Sequence, residues 1–151
     1  MIWLTVASVL VLDQLSKALV LRSLVPGESV EVVKNIFYLT LVHNTGAAFG
    51  IFRHQTFFFI IVSVLAVIVI AVYIKRKQNI IFMRDAALAL VLGGALGNLV
   101  DRLRFGYVVD FFDFRIWPVF NVADSAITIG TFLLIISLLK KNPKCIPNSS
   151  K

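Results

Sequence analysis

Charge is scarce in this sequence: 15% of its 151 residues are Asp, Glu, Lys or Arg, where about a quarter is usual in a soluble domain. The single cysteine, Cys145, excludes an intrachain disulfide and a cysteine-based metal site. Histidine is almost as rare. His43 and His54 sit in no zincin-like helical pattern, and Ser16, Ser63, Ser125 and Ser137 have no histidine at a recognisable spacing. The run Gly93-Gly94-x-x-Gly97 lacks the Lys-Ser/Thr of a phosphate loop. No metal and no cofactor is expected. What fills the chain is apolar, at 59% hydrophobic residues against roughly 45–50% in ordinary domains. A soluble chain this short has too little interior to hide them. Disorder, collagen, a disulfide scaffold and a DNA-binding domain are excluded on the same figures. The expectation is an integral membrane protein with one domain over residues 1–141 and a polar tail over 142–151.

Four apolar stretches carry that reading: Ile2–Leu21, Phe57–Ile74, Ala86–Leu103 and Ala123–Leu139. Each suffices to cross a hydrocarbon core of ~30 Å as a helix. The first lacks a basic n-region and a clear small-x-small cleavage site, and it carries Asp13 and Lys17, so it reads as a retained span. The net charge of +7 is a topology signal, not a nucleic-acid footprint. Lys75, Arg76, Lys77 and Arg84 crowd the link between spans two and three, and Lys140, Lys141, Lys144 and Lys151 the tail. Both segments are assigned to the cytoplasm, with both termini inside and the two longer connections outside.

Those outer connections are not bare links. Arg22–Thr56 contains Val30, Val32, Phe37, Leu39 and Leu41 in loose alternation, which predicts a small hairpin or sheet. Phe105–Phe120 mixes seven aromatic residues with Asp110, Asp113 and Arg115, the composition of an interfacial segment, with Asp113 read as a solvated acid. The predicted fold is an all-α membrane protein of four transmembrane helices, with a small extracytoplasmic β-like element and an interfacial aromatic segment.

Acids inside spans are costly and usually functional. Asp13, Asp101 and Asp124 lie in or at the ends of spans, and Asp110 lies in the aromatic segment. Asn121, Asp124, Ser125 and Thr128 share one face of span four; Gly94, Asn98 and Asp101 share one of span three; Gly93 and Gly97 form a small-xxx-small contact. Asp13 with Lys17 and Asp101 with Arg102 read equally well as structural ion pairs. Asp110 and Asp124 have no basic neighbour at helical spacing, and both converge on the outer interface. Two carboxylates in a low-dielectric site tend to share one proton, the arrangement by which aspartic proteases work. A proton-relay transporter would instead spread polar groups through the membrane's depth, and here they gather at one end. A scaffold subunit would leave the unpaired acids unexplained.

Five ordered blocks then stand out: Asp13–Lys17 (DQLSK), Asn44–Phe49 (NTGAAF), Gly97–Arg102 (GNLVDR), Val108–Phe111 (VVDF) and Phe120–Ser125 (FNVADS). In these blocks the chain resembles the bacterial lipoprotein signal peptidase, or signal peptidase II, family from end to end. The resemblance implies an aspartic endopeptidase of the bacterial cytoplasmic membrane. It would cut diacylglyceryl-modified prolipoproteins just before the lipidated cysteine, at the outer leaflet. It places the catalytic dyad on Asp110 and Asp124, puts Asn44, Asn98, Arg102, Asn121 and Ala123 around the site, and gives Asp13, Lys17 and Asp101 supporting roles. It further implies no metal, inhibition by globomycin, and prolipoprotein and membrane lipid as partners. A monomer is expected.

Overall fold

The structure is a computed structural model in which residues 1–46, 55–77 and 81–140 are described. Four helices dominate: α1 (Ile2–Ser23), α2 (Thr56–Arg76), α3 (Phe82–Phe105) and α4 (Val122–Leu139). Each is long and apolar enough to cross a membrane, and the protein is a multi-pass membrane protein. They are the four expected spans, lengthened at their ends. The largest extension brings Arg84 and Asp85 into the start of α3.

The central helix is α3, packed against all three others. Lipid tails are as apolar as leucine, so close packing rather than water exclusion must hold the helices together. Small residues allow it. A Cβ added at Gly93 would lie 2.8 Å from Val9 Cβ, one at Gly94 would strike the Ala123 carbonyl oxygen, and one at Gly130 would lie 2.7 Å from the Ala87 carbonyl oxygen. By contrast α2 is apolar all round and buries only Ile74, which leaves its surface to lipid.

At one end of the bundle lies a three-stranded antiparallel sheet in the order β1 (Ser29–Val33), β2 (Phe37–Asn44), β3 (Val108–Asp113). The first two strands are the expected hairpin. Its turn holds Asn35 at φ 58°, with the Asn35 N–H donating to Glu31 Oε1 at 2.6 Å and the Tyr38 hydroxyl donating to the same oxygen at 2.9 Å. The aromatic connection needs correcting, because its first part is a strand rather than an interfacial segment throughout. Val109 and Phe111 of β3 bury against Leu41 and Val20. Phe105 before the strand and Phe114, Ile116 and Trp117 beyond it stay exposed as an interfacial segment would.

The sheet sits where α1 and α3 end and where α2 and α4 begin. The opposite end carries Lys75, Arg76, Lys77 and Arg84, with Lys77 paired to Asp85. The expected tail over 142–151 lies outside the described residues.

Candidate active site

Helix α4 opens on a reciprocal cap. Asn121 Oδ1 accepts the Asp124 N–H at 2.8 Å, and the Asn121 N–H donates to Asp124 Oδ2 at 3.3 Å. This capping box holds the Asp124 carboxylate back over the helix's first turn, at the positive end of its dipole. The other oxygen, Oδ1, accepts the Asn98 amide at 2.7 Å.

Asp110 arrives from the sheet. Leu39 pairs with Phe112, and regular pairing from there would set Leu41 opposite Asp110 and put His43 on its face. An irregularity between Leu39 and Val42 sets Val42 opposite Asp110 instead. One extra residue in a strand exchanges its two faces. Asn44 therefore shares Asp110's face, and its Nδ2 donates to Asp110 Oδ2 at 2.8 Å. Asn121 Nδ2 donates to Asp110 Oδ1 at 2.7 Å. Asp110 is 1% exposed. Burial, and after it the neighbouring charge of Asp124, pushes its carboxyl up to about 7, against the opposing hydrogen bonds of Asn44 and Asn121. One residue therefore holds both carboxylates: Asn121 donates to Asp110 from its side-chain amide and to Asp124 from its backbone N–H.

Beneath the pair lies a buried ionic cluster. Lys17 Nζ sits 2.8 Å from Asp13 Oδ2, 2.8 Å from Asp101 Oδ2 and 3.1 Å from Asn98 Oδ1, so each of its three protons has an acceptor. Asp13 Oδ1 accepts the Ala123 N–H at 2.9 Å, and Asp101 Oδ2 accepts the Val109 N–H at 3.0 Å. Those N–H groups belong to the residues immediately before Asp124 and Asp110. The cluster thus grips the backbone beside each acid. Ala123 itself is fully buried.

Gln14 belongs to this cluster and was missed by sequence reasoning. Its Nε2 lies 2.9 Å from Asp101 Oδ1, 3.2 Å from Asp13 Oδ2 and 3.3 Å from the Gly97 carbonyl oxygen. Its place within DQLSK, beside Asp13, was the only signal. Two expectations are corrected. Asp101 pairs with Lys17, not with Arg102, whose guanidinium lies over the Phe59 ring at 5.1 Å. Asp113 is not solvated: it is 5% exposed, accepts from Thr40 Oγ1 at 2.7 Å and pairs with Arg115 at 3.3 Å. His43 stacks on Tyr107 at 4.0 Å, while His54 and residues 47–49 of the NTGAAF block lie outside the described residues. Among the described residues no three metal-binding side chains converge.

Known proteins share this chain's pattern. The family described as signal peptidase (SPase) II matches residues 5–140. A lipoprotein signal peptidase of Moorella thermoacetica is 53% identical over 87% of this chain and 87% of its own length. Another, of Halothermothrix orenii, is 46% identical over 91% of this chain and 94% of its own. A bacterial membrane enzyme solved by the in meso method at 2.3 Å resolution superposes with a TM-score of 0.89 at 34% identity, covering 99% of this chain and 94% of that one.

Proposed function

Since the chain belongs to the signal peptidase II family, we propose that it is an aspartic endopeptidase that removes signal peptides from prolipoproteins, with Asp110 and Asp124 as its catalytic pair. The observation that carries the assignment of the pair is Asn121, which holds both carboxylates of a buried site at one end of the bundle.

The chemistry follows from one shared proton. Asp110, held near 7, carries it, while Asp124 is the anion at the α4 N-terminus. Asp124 takes a proton from water as the water oxygen attacks the scissile carbonyl carbon, and Asp110 gives its proton to the carbonyl oxygen. Collapse of the gem-diol breaks the C–N bond. The proton taken up by Asp124 goes to the leaving amine, the new carboxyl terminus forms, and a hydroxyl proton returns to Asp110. Asn44, Asn98 and Asn121 aim the carboxylates. Arg102 and Ala123 border the substrate. Asp13, Lys17 and Asp101 fix the backbone beneath.

The bond cut is the one just before a cysteine that already carries diacylglyceryl. An acylated cysteine and a signal-peptide helix meet at the outer leaflet, where a shallow site between helix ends and a covering sheet is suited to receive both. The enzyme lies in the bacterial cytoplasmic membrane with both termini in the cytoplasm. It acts as a monomer without metal or nucleic acid and binds globomycin in the substrate groove. The test is a gel-shift assay of the purified protein with a diacylated prolipoprotein. Loss of the signal peptide from the lipidated form, with the unlipidated precursor left intact, is the expected result. No cleavage of the lipidated form would overturn the reading.

A further inference from the structure

Among the described residues, α2 gives no hydrogen bond to either acid or to their amide partners, yet its outer end is fastened to α3 by two rungs. Thr56 Oγ1 donates to the Gly106 carbonyl oxygen at 2.8 Å. Three residues along, on the same face of α2, the Phe59 ring lies against the Arg102 guanidinium. Gly106, at φ 79°, caps α3 by donating its N–H to the Arg102 carbonyl oxygen at 3.1 Å. The two rungs are therefore one helical turn apart on both helices.

Arg102 is half-buried, and its guanidinium has no hydrogen bond or ion pair to another described residue. One turn before it on the same face of α3 is Asn98, whose amide donates to Asp124 Oδ1 at 2.7 Å, so the acids whose charge reaches Arg102 include Asp124, Asp110 and Asp101. Both oxygens of Asp101 are already engaged by Lys17, Gln14 and the Val109 N–H. An aromatic face attracts a guanidinium through its quadrupole and uses none of its five N–H donors, whereas a carboxylate partner would occupy two of them.

We propose that Phe59 is a positioning residue, which holds the Arg102 guanidinium beside the dyad with its N–H groups open to carbonyl oxygens of the substrate chain. The proposal rests on the peptidase reading above. Phe59→Leu should lower kcat/KM by about 3- to 30-fold, the range a cation–π contact spans between exposed and desolvated settings. Phe59→Trp, which restores a π face, should recover most of the loss. In an Arg102→Ala background, Phe59→Leu should have no further effect, because the residue it positions is gone. An unaffected Phe59→Leu enzyme, multiplicative losses in the double variant, or a Trp variant as poor as the Leu one would each overturn the proposal. Thermal unfolding of the unaltered, Phe59→Leu, Arg102→Ala and doubly substituted proteins in detergent gives a readout free of catalysis. Non-additive shifts support the contact, and strictly additive shifts sink it. Failure of the unaltered protein to cleave would count against the peptidase reading alone.

Discussion

At the scale of single residues the proposed chemistry turns on one exchangeable proton. Asp110→Asn and Asp124→Asn each keep size and most hydrogen bonding, so each alone should abolish cleavage, and the double variant should be no worse than either. Asp113→Asn serves as control: it loosens the Thr40 and Arg115 contacts but should leave cleavage near the unaltered rate. Retained processing by either dyad variant would end the aspartic assignment. The pH dependence has a definite sign. Asp110 holds its proton below about 7 and loses it above, so kcat should fall on the alkaline side as the pair becomes doubly ionised. Asn44 donates to the Asp110 carboxylate and favours its ionised form. Asn44→Ala should therefore move the alkaline limb to higher pH, and a limb that stays put or moves down would contradict this. Asp110 and Asp124 stand out in the sequence as candidates because an unpaired aspartate in apolar surroundings is costly wherever it is buried. Gln14 does not, and neither do the partners of Asp101 and Asp113. Which groups meet across helices depends on packing that no spacing rule along one helix contains.

Elements were legible to different degrees for a physical reason. The four helices announce themselves by length and hydropathy alone, since lipid demands both. Strand β3 does not. Val108–Asp113 is buried on both faces, so it lacks the alternation that marks a half-buried strand and reads as an aromatic run. The irregularity that puts Asn44 rather than His43 on Asp110's face is likewise silent in sequence. Helix packing yields a prediction at this scale. At Gly130 a methyl group would press on the Ala87 carbonyl oxygen and on Val91 and Leu90 of α3, far along α4 from the dyad. At Gly97 it would lie 2.5 Å from Asp13 Oδ2, inside the ionic cluster that grips Ala123. Overpacking costs typically about 1–3 kcal/mol, so both alanine variants should unfold at lower temperature in detergent. Only Gly97→Ala should also lower kcat in the surviving folded protein. Equal kcat losses from the two would mean that helix spacing, not the Asp13 brace, governs the site.

For the whole molecule the question is which way the bundle faces. The dyad and sheet occupy one end, and Lys75, Arg76, Lys77, Arg84 and Lys140 gather at the ends of α2, α3 and α4 away from it. An excess of lysine and arginine in short loops marks the cytoplasmic side. On the proposed reading the dyad therefore lies at the outer leaflet and both termini lie inside. The sequence supplies its own reporter, because Cys145 is the only cysteine and follows the last span. In intact spheroplasts an impermeant maleimide should leave Cys145 unlabelled and label it once the membrane is permeabilised. Glu28, between α1 and β1, is exposed at the sheet end. Glu28→Cys in a Cys145→Ser background should label without permeabilisation. The opposite pair of results would put Asp110 and Asp124 at the inner leaflet. Cleavage could then not take place at the outer face, and the proposed presentation of a lipidated substrate there would fail even if the dyad chemistry were right.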